Sequence, residues 1–214
     1  MITEDFFTEL QGKILSLLGS EEEGHGMDHT LRVYRLSLTL AQEEKADLDI
    51  IRAAALLHDI ARNQEGNGKV LCHAEEGAKM AKHLLEATSF PPEKIDSVCY
   101  AIAVHRYSQA IHPQTKEAAI LQDADRLDAL GAIIIARALR HSGKLGKPIE
   151  DPSIPIRDHY VSPSPSVFHH LYEKILKITP ETFHTAKAKA LAQGRYAFVQ
   201  EFIERYIKES QGSL

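Results

Sequence analysis

His58 and Asp59 stand side by side after the apolar run Ala53-Ala54-Ala55-Leu56-Leu57, with Ile60 following. Burying an imidazole and a carboxylate without partners costs several kcal/mol. An ion pair between the two would compensate them, as would hydrogen bonds to other groups. A divalent metal would satisfy a neutral imidazole nitrogen and a carboxylate oxygen at once. Other polar residues also interrupt core-like sequence: His29, His73, His105 and Asp125. Imidazoles and carboxylates without thiolate suit manganese, magnesium, cobalt, nickel, iron or zinc. Such an ion acidifies water and polarises phosphoryl oxygen, so hydrolysis of a phosphate ester or anhydride is the natural chemistry.

The stretches carrying these residues read as helices. Phe6, Phe7, Leu10, Ile14, Leu17 and Leu18 have the three-and-four spacing of an amphipathic helix. A second helix is expected over Leu31 to Glu44, capped by Asp28, with His29, Val33, Leu36 and Leu40 on one face. The third, Ile50 to Arg62 with Asp49 as cap, is apolar nearly all round and should be central. Neighbouring helical residues diverge by about 100°, so His58 and Asp59 could share an ion only at the helix flank. A fourth helix runs from His73 to about Ala87, and a fifth from Ile95 to His105. A long helix then runs through Ile120 to Gly131 and continues apolar to Ile135.

From Ser142 to Ser166, Pro148, Pro152, Pro155, Pro163 and Pro165 argue against regular structure. So long a loop in a compact domain is usually a lid, a binding loop or a partner contact. It leaves room for a homodimer interface. Helical spacing returns over Phe168 to Lys177 and Glu181 to Glu209, and no segment alternates like a half-buried strand. The expected fold is all-α, a single domain over 1–214 with a motif-bearing core at about 25–140, the loop at about 142–166 and C-terminal helices at about 167–209.

A net charge of −5 argues against nucleic acid as a partner. No apolar run approaches the ~20 residues of a membrane span. The start, Met1-Ile2-Thr3-Glu4-Asp5, lacks the pattern of a secretory signal, so a cytoplasmic protein is expected. Cys72 and Cys99 make neither a disulfide framework nor a metal knuckle. His25, His169 and His170 fit solvated or loop positions.

Three segments together carry a resemblance: Gly24-His25-Gly26-Met27-Asp28-His29-Thr30-Leu31-Arg32-Val33, Leu56-Leu57-His58-Asp59-Ile60-Ala61, and Ala124-Asp125-Arg126-Leu127-Asp128-Ala129-Leu130-Gly131. Their order resembles the HD superfamily of metal-dependent phosphohydrolases. The resemblance implies that His29, His58, Asp59 and Asp125 hold one divalent ion, manganese being favoured. Asp123 competes for the last place; Asp125 is preferred for its Ala-Asp-Arg-Leu setting and for the stripe Leu121, Asp125, Asp128, Ala132. His73 and His105 resemble the extra histidines of branches that hold a second metal or set a histidine against substrate, where either could act as general acid. Arg32, Arg62, Lys79 and Arg106 are candidates to clamp phosphate oxygens, with Asp128 a further substrate contact. The likeness extends to small bacterial single-domain proteins that would cut (deoxy)nucleoside triphosphates to monophosphate and pyrophosphate. Two rival readings are a di-iron oxygenase using His73 and His105, and a non-catalytic nucleotide-sensing or partner-binding module.

Overall fold

The computed structural model describes residues 2–18 and 26–214; His25 lies outside them. The described residues are helical with no strand, as expected of an all-α chain. None of their helices is long and apolar enough to cross a membrane. The chain divides into two compact units, Met1–Asp125 and Arg126–Leu214.

The first unit is built around α3 (Leu48–Leu57), against which α1 (Glu4–Leu18), α2 (Met27–Glu44), α5 (His73–Glu86) and α6 (Pro92–Val104) pack. Eight of the ten residues of α3 are buried, among them Ala53, Ala54 and Ala55 at 0% exposure. Three methyl-sized side chains in succession let neighbouring helices approach α3 closely. Leu56 and Leu57 then contribute about 1.5–3 kcal/mol each through burial. The cap of α3 is Asp47, which accepts from the amides of Asp49 (2.9 Å) and Ile50 (3.3 Å). The expected cap, Asp49, lies in the first turn instead; its carboxylate takes Lys94 at 2.8 Å and the Ile2 amide at 3.1 Å. Likewise α2 begins one turn earlier than expected: Gly26 is its cap, with no side-chain bond, and Asp28 is inside the helix.

The third helix stops at Leu57 rather than running to Arg62. Turn bonds from Ile60 N to Leu57 O (3.2 Å) and from Arg62 N to Asp59 O (2.9 Å) carry the chain into α4 (Arg62–Gly66). His58 and Asp59 therefore sit in a turn, where adjacent side chains need not diverge as on a continuous helix. Gly77 on α5 has its missing Cβ position 3.4 Å from the His58 carbonyl oxygen, so its lack of a side chain lets α5 lie against this turn.

The long helix expected beyond Lys116 breaks. Its first part, α7 (Lys116–Asp128), ends before Leu130, which is extended, and α8 (Gly131–Lys144) begins at a glycine with φ +74. That φ is strained for any residue with a side chain. In the second unit α8 packs on α9 (Val167–Glu173) and α10 (Ala186–Ser210), the latter burying Ala188, Ala192, Val199 and Ile203. Single 3₁₀ turns at Ile175–Lys177 and Pro180–Thr182 replace the ends expected to be helical.

The proline-rich segment is irregular yet pinned. Arg157 donates to the Glu173 carboxylate from its backbone N (3.0 Å), Nε (2.8 Å) and Nη2 (2.5 Å), and the Glu173 side chain is fully buried. Lys147 Nζ donates to Ser164 O at 2.6 Å. His169, expected at a solvated position, is buried: it meets Ser166 Oγ at 2.7 Å and Ile154 O at 3.1 Å. Glu173→Ala should release this loop, so that trypsin cleaves after Arg157 faster by roughly tenfold with the helices intact by circular dichroism.

Candidate metal centre

Six side chains from five elements of the first unit converge. His29 comes from α2, His58 and Asp59 from the turn after α3, His73 from the first position of α5, His105 from the end of α6, and Asp125 from α7. Only Asp125 is appreciably exposed, its side chain at 26%; the other five are buried. His58 Nδ1 lies 2.8 Å from Ala55 O and His105 Nδ1 lies 2.6 Å from Ile102 O. A carbonyl only accepts, so Nδ1 carries a proton in both rings, and in the neutral form of each Nε2 keeps its lone pair.

His29 Nε2 is 3.3 Å from His58 Nε2, 3.4 Å from Asp125 Oδ1 and 3.6 Å from Asp59 Oδ2. Asp59 Oδ1 is 3.2 Å from His73 Nε2 and 3.7 Å from His105 Nε2. The donor atoms thus form two triplets, His29 with His58 and Asp125, and Asp59 with His73 and His105; within each, the atoms lie within 4.8 Å of one another. Asp59 turns one oxygen toward each. Donors at about 2.1 Å from one divalent ion stand roughly 3–3.5 Å apart, close to these separations. A lone pair on His58 Nε2 aimed at another ring nitrogen also repels unless a cation or proton lies between. The donor set therefore fits divalent ions.

Electrostatics separate the imidazoles. Burial pushes His58 down to about 4, against the pull of Asp59, which keeps the ring neutral at working pH. Burial also lowers His73, with Arg62 and His105 adding to it. For His105 burial would lower the value, but Asp59 and Asp125 outweigh it and the pKa is raised. Burial would raise Asp125; His29, His58 and His105 outweigh that and hold its carboxyl well below the usual range.

The cationic candidates fall in different places. Arg106 Nη1 donates to Glu65 Oε1 at 2.5 Å, and its Nε to Ser108 Oγ at 2.8 Å. Arg62 Nη1 is 3.3 Å from Glu65 Oε2 and lies 2.9 and 3.4 Å from the two ring nitrogens of His73. Their side chains are 31% and 32% exposed, so both can meet a solute at the edge of the centre. Arg32 is half-buried on α2, one turn beyond His29. Lys79 is exposed and pairs with Glu76 at 3.2 Å. Asp128, in the second unit, is buried and takes Arg137 Nη1 at 3.0 Å. Asp123 is fully buried and belongs to neither triplet.

Sequence reasoning passed over Glu65 and Gln122. Glu65 Oε2 lies 2.7 Å from His73 Nδ1. Gln122 Nε2 donates to Val104 O (2.7 Å) and Ile111 O (2.9 Å), fixing the backbone on either side of His105. Gln122 had a signal, being one more polar residue amid the apolar start of α7. Glu65, in a polar five-residue helix, had none.

Comparison with known proteins shows the family. Residues 26–130 match the HD domain family. The chain superposes on a Lactobacillus plantarum protein with 34% identity and a TM-score of 0.78, covering 99% of this chain and 100% of that one. An HD-superfamily hydrolase from Bacillus thuringiensis follows at 32% identity and a TM-score of 0.77, over 97% of this chain and 98% of its own. Bacillus subtilis YpgQ, solved in complex with ADP, has 26% identity and a TM-score of 0.71, over 95% and 97% of the two chains. The chain belongs to the HD superfamily of metal-dependent phosphohydrolases.

Because Asp59 serves both triplets, Asp59→Ala should lower bound metal more than loss of any single histidine. A divalent ion at about 100 times its Kd should stabilise the stripped wild type by about 2.7 kcal/mol. In Asp59→Ala that gain should vanish while helix content is kept, as read by thermal unfolding with and without ion. Gly77→Val should weaken metal binding without touching a donor, since the added methyls press on the His58 carbonyl, whereas Gly77→Ala should be tolerated; isothermal titration separates them.

Proposed function

We propose that this protein hydrolyses a nucleotide at a phosphoanhydride bond, converting a nucleoside or deoxynucleoside triphosphate to the monophosphate and pyrophosphate. The observation that carries the reading is a thiolate-free, buried cluster of nitrogen and oxygen donors with two half-exposed guanidiniums, Arg62 and Arg106, at its edge. YpgQ, which binds ADP in its solved complex and matches nearly the whole chain, supports a nucleotide as the ligand and residues 1–214 as one functional domain.

In this reading His29, His58, Asp59 and Asp125 hold one divalent ion, manganese for preference, and Asp59, His73 and His105 hold a second. Ions so held acidify water and polarise a phosphoryl oxygen. The protein's own groups do the rest. Arg62 and Arg106 bind phosphate oxygens through guanidinium N–H groups that Glu65 does not take, and orient the phosphorus. His58 and His105, each locked by a backbone carbonyl, keep Nε2 turned inward through the reaction. The protein is expected to work in the cytoplasm without nucleic acid.

The test is a panel of nucleoside mono-, di- and triphosphates with the chelator-stripped protein reloaded with manganese, magnesium, cobalt or zinc. Pyrophosphate release from a triphosphate, fastest with manganese, is expected, and Arg106→Ala should raise KM by roughly tenfold. Failure to cut any phosphate bond with any ion would sink the proposal. Two irons per chain with oxygen consumption would point to the oxygenase, and tight nucleotide binding without turnover to a sensing module.

A further inference from the structure

Glu65 stands apart from the residues so far given a role. It belongs to no donor triplet, yet one carboxylate gathers three neighbours: His73 Nδ1 at 2.7 Å and Arg62 Nη1 at 3.3 Å on Oε2, and Arg106 Nη1 at 2.5 Å on Oε1. Glu65 and Arg62 compete for the same ring nitrogen, His73 Nδ1. Arg62 Nη1 is 2.9 Å from His73 Nδ1, so the imidazole must either accept from the guanidinium or donate to the carboxylate. The distances decide it. Arg62 Nη1 is also 3.4 Å from His73 Nε2. An N–H aimed along the in-plane lone pair of Nδ1 would leave Nε2 much farther away, so this guanidinium lies over the ring face. The shorter contact is charge-assisted and belongs to Glu65.

We propose that Glu65 is the positioning residue of the second donor triplet: by accepting the Nδ1–H of His73 it fixes the tautomer whose Nε2 turns a lone pair toward Asp59. His58 and His105 receive the same service from backbone carbonyls, at Ala55 and Ile102. The amide of His73 lies at the start of α5, where no preceding helical turn offers its ring a carbonyl. A side chain from α4 supplies the acceptor instead. Arg62 Nη1 at 3.3 Å and Arg106 Nη1 at 2.5 Å hold that acceptor in place from its other sides.

The inference rests on reading Asp59, His73 and His105 as holders of a second ion, and the experiment separates the two. Manganese or cobalt bound per chain is measured by titration and elemental analysis for wild type, His73→Ala, Glu65→Ala and Glu65→Gln. The ring-nitrogen shifts of His73 in metal-free wild type are read by ¹⁵N NMR, which needs no variant to fold. The expected outcome is two ions in wild type, one in His73→Ala, a second-ion Kd weakened roughly 10- to 100-fold in Glu65→Ala, and recovery to within a few fold in Glu65→Gln, whose amide oxygen still accepts. The Nδ1 shift should be that of a protonated nitrogen. Two ions held as tightly in Glu65→Ala as in wild type, no recovery in Glu65→Gln, or a deprotonated Nδ1 overturns the positioning role alone. One ion in wild type overturns the second-ion reading and this inference with it.

Discussion

The interaction on which the first unit depends is that of one buried carboxylate, Asp59, with imidazoles on both of its sides. At 4% exposure it has given up most of its water, and with imidazole nitrogens at 3.2 to 3.8 Å turning lone pairs toward it, a cation or proton shared between them is what compensates the charge. A buried charge with two working oxygens must be reached from several directions. That requirement explains why the six polar side chains come from five helices or their ends rather than from one segment. It also explains the shape of α3. Small residues allow close packing, and the helix stops where a continued one would have sent His58 and Asp59 apart.

Around that carboxylate the imidazoles are kept distinct by their outer nitrogens. Backbone carbonyls three residues upstream hold His58 and His105, a geometry available only near the end of a helix. At the start of α5 no such carbonyl exists, and His73 turns to Glu65. The edge of the centre is thereby built from charge: one carboxylate between two guanidiniums, leaving cationic surface beside a cluster that is otherwise buried. An anionic substrate meets attraction there without any single cation having to be desolvated alone.

The outlines of the fold could be read from residue spacing. Helices at 4–18 and 73–86 and the irregular stretch before 166 follow from apolar periodicity and proline content, while the helix expected at 95–105 starts three residues earlier, at Pro92, and ends at Val104. Three features were missed for local reasons. Asp47 and Asp49 are both competent caps and Lys94 bridges the two carboxylates, so the contact that distinguishes them is the Ile2 amide on Asp49. The stop at Leu57 leaves no mark in an apolar run, because turn and helix bury alanine and leucine equally well. The break at Gly131 was hidden by apolar residues continuing on both sides, although a glycine there was the available hint. How the proline-rich loop is held lay outside the sequence reading, because its anchor, Glu173, lies in a helix that nothing in its own sequence links to Arg157.

What the chain alone determined was chemical type: which residues interrupt apolar faces, that they are nitrogen and oxygen donors, and that their order is that of the HD superfamily. Residue type and periodicity are local properties, and burial of a polar group is costly enough to make it conspicuous wherever it occurs. What only the tertiary structure decided was direction. The grouping of donor atoms into two triplets, the turning of one Asp59 oxygen toward each, the burial of Asp123 outside both, and the placing of Glu65 beside His73 and of Gln122 beside the backbone at His105 all depend on how side chains from distant segments point once the helices have packed. Distances of a few ångströms between such segments are set by the summed packing of the core, and no single stretch of sequence encodes that sum.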